Sequence, residues 1–120
     1  MEEIKRVKPI ILRFEDGREY TLEFNRASVE WAENRGFNIS DLGNGKILSG
    51  ISDLFYYSFR MHHPQMTKTQ TDTLLFDKVN GLGGVPDGLA ERLGELYAEP
   101  YNALVQSEED AKNSPWTVEL

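Results

Sequence analysis

The chain has 120 residues, no cysteine and a formal net charge of −7. That length suits one domain able to bury roughly two-thirds of its unfolded surface, and the missing thiols exclude a disulfide framework, a thiolate metal site and a cysteine nucleophile. No run approaches the roughly 20 apolar residues that span a bilayer, and Met1 to Lys8 carries charges without the apolar core of a signal peptide, so a cytoplasmic protein outside the membrane is expected.

In chain order, Ile10, Leu12 and Phe14 alternate with Ile11 and Arg13, and after Asp16-Gly17 the alternation resumes as Tyr20, Leu22 and Phe24 against Thr21 and Glu23. A period of two with one apolar face predicts a hairpin over 10–24. Parity chooses its turn. A two-residue Asp16-Gly17 loop would set Leu12 opposite Thr21, on the wrong face, whereas a three-residue loop, Glu15-Asp16-Gly17, sets Leu12 opposite Tyr20 and makes Gly17 the left-handed bulge residue. Asn25 then caps a helix over about 26–35, with Phe24 and Val29 at the positions of a hydrophobic staple and Gly36 at C′. Phe37, Ile39 and Leu42 follow in a Gly-rich connection that suits a short extended piece and one helical turn equally well.

Three further helices are predicted. Over 47–62, Ile47, Leu48, Ile51, Leu54, Phe55, Ser58, Phe59 and His62 share one broad face and Pro64 stops the run, so this helix belongs in the middle of the bundle. Over 69–80, Leu74, Leu75, Phe76 and Val79 are the buried set, Gly81 is the C-cap, and Leu82 to Val85 forms a Gly-rich hinge. Over 86–105, Pro86 opens the helix, Leu89, Leu93, Leu96, Tyr97 and Leu104 share one side, and Pro100 is expected to kink or split it. The far side carries Asp87, Glu91, Glu95 and Glu99 at successive i, i+4 positions, where like charges cost about 0.2–0.5 kcal/mol per pair, so that stripe must face solvent or a basic partner. From Ser107 an acidic tether, Glu108-Glu109-Asp110, leads to the peptide Pro115 to Leu120 with Trp116 as an anchor. The fold class is α+β: an N-terminal hairpin packed on about four α-helices in one domain over 1–106, then a flexible C-terminal tail over 107–120.

Charge argues against nucleic acid as a partner. The acids concentrate after Asp87, and the one basic cluster, Lys5, Arg6, Lys8, Arg13 and Arg18, is diluted by Glu2, Glu3, Glu15 and Asp16. His62 and His63 are adjacent, about 100° apart on a helix, which does not suit one metal ion. His62 reads as a hydrogen-bonded residue of the apolar face, and His63 as a cation favoured by the helix C-terminus. Gly81-Leu82-Gly83-Gly84 lacks the Lys-Ser or Lys-Thr of a phosphate loop. No carboxylate is matched to a nucleophile or a histidine base, so the reading is a binding protein and not an enzyme, with no catalytic, cofactor or metal residues. Tyr56 and Tyr57 lie away from the centre of the second helix's apolar stripe, beside Asp53 and Arg60, as interface anchors or as residues wrapped by a small bundle. Trp116 either folds back as a strand beside the hairpin or docks into a partner. The unclosed hairpin also offers edges for self-association.

Tyr20 to Val29, Gly36-Phe37-Asn38-Ile39, Phe55 to Pro64, Leu96-Tyr97-Ala98-Glu99-Pro100 and Trp116-Thr117-Val118-Glu119 together resemble the tail assembly chaperones of long, non-contractile-tailed phages and prophages of Gram-positive hosts. The likeness runs from about Ile10 to Leu120 and lies in overall pattern, with no catalytic signature. It implies a host-cytoplasmic protein that binds the tape measure and tail tube proteins, keeps them soluble until the tube polymerises and is not retained in the mature virion. A longer form made by frameshifting is typical of the family. The alternative within the same setting is a structural component such as a head–tail connector or tail-completion subunit.

Overall fold

The structure is a computed structural model and describes residues 7–104. Strands β1 (Ile10–Arg13) and β2 (Glu19–Leu22) form an antiparallel hairpin in which Ile10 faces Leu22 and Leu12 faces Tyr20. The register is the one parity demands. Phe14 N–H donates to the Arg18 carbonyl at 2.9 Å and Gly17 N–H to the Phe14 carbonyl at 3.0 Å, closing a three-residue loop with Gly17 at φ 95°. A positive φ at that position is what a bulge of this kind asks of its glycine.

The chain passes from the hairpin directly into α1 (Arg26–Asn34). The Asn25 side chain accepts from Ser28 N–H at 2.8 Å and the Ser28 hydroxyl accepts from Asn25 N–H at 2.9 Å, a reciprocal cap that satisfies two orphan donors. At the other end Gly36 N–H bonds the Glu33 carbonyl at 2.9 Å and Phe37 N–H bonds the Ala32 carbonyl at 3.1 Å. This is a Schellman closure with glycine at C′, as the sequence predicts. The connection left open between an extended piece and a turn is a 3-10 helix, Ile39–Asn44, whose Asn38 cap accepts from Ser40 N–H at 3.0 Å.

Helix α2 (Ile47–Tyr57) is central. Leu54 and Phe55 are fully buried, and Phe59 just beyond the helix stacks on Phe55 at 5.0 Å. Two details differ from expectation. Ile47 and Leu48 project from the first turn, Leu48 69% exposed, because the 3-10 helix covers α2 one turn later, where Leu42 lies against Gly50. The helix also ends at Tyr57 and not at His62. The Ser58 carbonyl accepts from Glu23 N–H of the hairpin at 3.1 Å, while Phe59 and Arg60 bond three residues back to Tyr56 and Tyr57. The chain therefore tightens into turns, with a carbonyl diverted from the helical ladder to the hairpin.

Helix α3 (Lys68–Phe76) starts from a Thr67–Gln70 capping box. It stops four residues short of the predicted Asn80, since Asp77 turns extended and its carboxylate accepts from Val79 and Asn80 N–H groups. Val79, placed in the core by periodicity, is 87% exposed, and Phe76 is exposed as well. The segment after it is no hinge. Leu82 N–H and Gly84 N–H bond the Leu74 and Leu75 carbonyls, each at 2.8 Å, so the loop is pinned to the end of α3 and satisfies its last acceptors.

Helix α4 (Leu89–Leu104) begins three residues after Pro86, since Gly88 is left-handed at φ 84° and cannot continue a right-handed helix. It buries Leu89, Leu93 and Leu96 and runs unsplit through Pro100, while Leu104 is exposed. Its acidic stripe is shorter than expected. Asp87, Glu91 and Glu95 are exposed, but Glu99 is half-buried and accepts from Val7 N–H at 2.9 Å, as Arg92 holds the Lys8 carbonyl at 2.9 Å. These two side chains fasten the segment before β1 to α4. The architecture is thus α+β, a hairpin on a helical body. No helix among the described residues is long and apolar enough to cross a membrane. The predicted tether over 107–120, with Trp116, lies outside the described residues.

Candidate functional site

The two tyrosines singled out in α2 turn towards α1. Tyr57 is a core residue, 8% exposed, with ring centroids 5.5 Å from Trp31 and 5.2 Å from Phe37. Burial raises the pKa of its phenol, as does Asp53, with the Arg35 side chain opposing. An anchor for a partner must be reachable, and Tyr57 is not. Tyr56 is half-buried against the same core, 5.9 Å from Trp31. The Arg35 and Arg60 guanidinium groups cover the Trp31 ring at 4.8 and 4.5 Å, so this aromatic cluster is roofed by cations from its own chain.

Neither histidine has the surroundings read for it. His63 is the half-buried one: its Nε2 accepts from Thr21 N–H at 3.0 Å, and its ring stands edge-on to Tyr20 at 5.4 Å. Burial lowers its pKa, with the neighbouring His62 acting in the same direction. His63 is held as the neutral acceptor of a strand N–H, the opposite of a helix-terminal cation. His62 is exposed and meets Glu23 at 2.8 Å. With the Ser58 carbonyl taking Glu23 N–H and His63 taking Thr21 N–H, the outer edge of β2 is partly closed, whereas among the described residues no hydrogen bond from outside the hairpin reaches the edge of β1.

One polar cluster joins a serine, a lysine and an aspartate. Ser52 accepts from Lys68 Nζ and donates to Asp72 at 2.6 Å, while Lys68 also donates to both Asp72 oxygens at 2.8 Å. The Ser52 hydroxyl proton is directed to the Asp72 carboxylate. The cluster ties α2 to α3. Among the described residues no group of three or more His, Asp or Glu is placed to hold a metal ion, and no buried side-chain polar atom lacks a partner.

The feature that stands out is an open groove of about 640 Å³ between α1 and α4, closed at one end by the turn before the 3-10 helix. Val29 and Glu33 come from α1, Phe37 from the turn, Ile39 from the start of the 3-10 helix, and Gly94, Tyr97, Ala98 and Tyr101 from α4. The Schellman closure of α1 aims Phe37 inward, where it meets Tyr97 edge-on at 5.3 Å, and Tyr97 meets Phe24 at 5.2 Å. The Tyr97 phenol is pushed up in pKa by burial, then by Glu33 and Tyr57. Tyr101 is 67% exposed at the rim. Glu33 is the one charged residue in the lining. Sequence reading missed this site, assigning Tyr97 to the core and Phe37 to a connection. The signal present was Gly94 and Ala98, two small residues one turn apart, beside Tyr97 and Tyr101.

A family model described as a domain of unknown function, DUF5055, matches residues 6–120. No curated protein and no solved structure matches the chain.

Proposed function

This chain belongs to the DUF5055 family, and we propose that it is a phage tail assembly chaperone, binding the tape measure and tail tube proteins without chemical turnover. The observation that supports this most directly is the aromatic groove between α1 and α4, which no described residue of the chain fills, a surface of the kind that receives an apolar segment of another chain. A holding protein needs such a surface together with a means of staying dispersed. The exposed carboxylates Asp87, Glu91 and Glu95 and the net charge of −7 serve the second need by mutual repulsion between copies. The resemblance of Tyr20 to Val29, Phe55 to Pro64 and Leu96 to Pro100 to tail assembly chaperones supplies the identity of the clients. In this reading the protein works in the cytoplasm of the bacterial host and leaves before the virion is complete.

The test is co-expression with a tape measure protein, sought among the reading frames that flank this one. Recovery of that protein in the soluble fraction, bound to this chain, is the expected result. A tape measure protein equally insoluble with and without this chain overturns the role. Mass spectrometry of purified particles separates the structural alternative, a head–tail connector or tail-completion subunit, which would be found there.

A further inference from the structure

We infer that the groove between α1 and α4 takes an amphipathic helix of a partner protein, crossing α4 over Gly94 and Ala98 and directing a basic side chain to Glu33. The inference rests on the reading of this chain as a binding protein and adds the chemistry of what is bound.

Charge selects the partner's composition. Glu33 is the one charged group in the lining, and α4 carries the exposed carboxylates Glu91 and Glu95 within a chain of net charge −7. An occupant of the aromatic floor meets Glu33 and approaches a surface of net negative charge, so a basic flank is favoured and an acidic one repelled. A second copy of this chain would bring the same carboxylates to the same place.

Geometry selects a helix. The backbone N–H groups of Gly36 and Phe37 are consumed in closing α1, so this wall offers side chains and not a row of ladder donors for an added strand. Gly94 adds the point of closest approach. A Cβ built there meets nothing within 4 Å, in contrast to Gly50, where it would press on Leu42, and Gly81, where it would meet the Leu74 carbonyl at 2.3 Å. Glycine inside a helix is destabilising relative to alanine. At Gly50 and Gly81 the fold needs the space, whereas at Gly94 nothing inside the described chain uses it. With Ala98 one turn on, α4 is left open for another helix to lie close, its apolar residues seated among Phe37, Tyr97 and Tyr101.

The experiment is an amide NMR titration of the full-length chain with two synthetic helical peptides. Both carry the same leucine face, one flanked by lysines and the other by glutamates. The lysine peptide should shift Glu33, Phe37, Gly94 and Ala98. Gly94→Leu should weaken it at least tenfold with an unchanged or higher Tm, and Glu33→Gln should weaken it severalfold. Shifts confined to other surfaces, a Gly94→Leu chain that binds like the parent, or equal binding of the glutamate peptide would each overturn the inference. So would movement of the groove resonances in a Trp116→Ala chain without peptide, since the chain itself would then be the occupant. Co-expression separates this inference from the chaperone role. If Gly94→Leu solubilises the tape measure protein as well as the parent does, the role stands on another surface and the groove inference falls. If the peptides behave as expected while the tape measure protein stays insoluble with the parent chain, the groove stands and the role falls.

Discussion

The junction of the hairpin with α2 and α3 and the groove between α1 and α4 are built from similar residues and differ in what they leave over. In the first, the outer N–H groups of Thr21 and Glu23 are taken by His63 and Ser58, and the missing Cβ of Gly81 is filled by the Leu74 carbonyl. In the second, the Tyr101 ring and the space over Gly94 have no described neighbour of their own chain to use them. The difference shows how a small protein divides its stability: one region is consumed by folding, and the other keeps surface and a helix glycine at a cost to the fold.

The largest test of the consumed region is Phe55→Ala. Phe55 is fully buried between α2 and its neighbours, so its loss should cost about 3–5 kcal/mol, a large share of a typical domain's stability, read as a fall in the urea midpoint. Next is Gly81→Ala, expected to cost about 1–3 kcal/mol by overpacking, because the new Cβ would sit 2.3 Å from a carbonyl that already accepts Leu82 N–H. An unchanged midpoint would mean the loop is not pinned to α3.

His63 tests the partial closure of the hairpin edge. His63→Phe keeps a ring beside Tyr20 and removes the acceptor of Thr21 N–H, at an expected cost of about 1 kcal/mol. A pH series sharpens it. The folded pKa of His63 lies below its ordinary 6.5, so on acidification the unfolded chain takes up the proton first. Its contribution is whole above pH 6.5 and declines as pH falls from there towards the folded value. Equilibrium unfolding at pH 7.5 and 5.5 should show a smaller loss for His63→Phe than for the parent.

The smallest expected effect has the opposite sign. Gly94→Ala meets no atom and should raise stability by just under about 1 kcal/mol, seen as a higher Tm. A lower Tm would show that the glycine serves the fold and would erase the contrast between the two regions.

What the sequence by itself determined is local. The hairpin register, the bulge at Gly17, the Asn25 cap and the closure at Gly36 depend on side-chain parity and on hydrogen bonds spanning only a few residues, and all were legible from residues 10–37. The early end of α3 at Asp77 and the late start of α4 after Gly88 were local too, but elsewhere a distant partner had intervened: Glu23 N–H drew the Ser58 carbonyl out of α2, Thr21 N–H made His63 an acceptor, and α1 turned Tyr57 inward. The groove belongs wholly to the second category. It joins Phe37 to Tyr97 and Glu33 to Gly94 across about 60 positions of chain, and periodicity tells which face of a helix is apolar without telling whether another element will cover it. Only tertiary packing settles that, because burial is decided by which surfaces meet and not by the residues that compose either one.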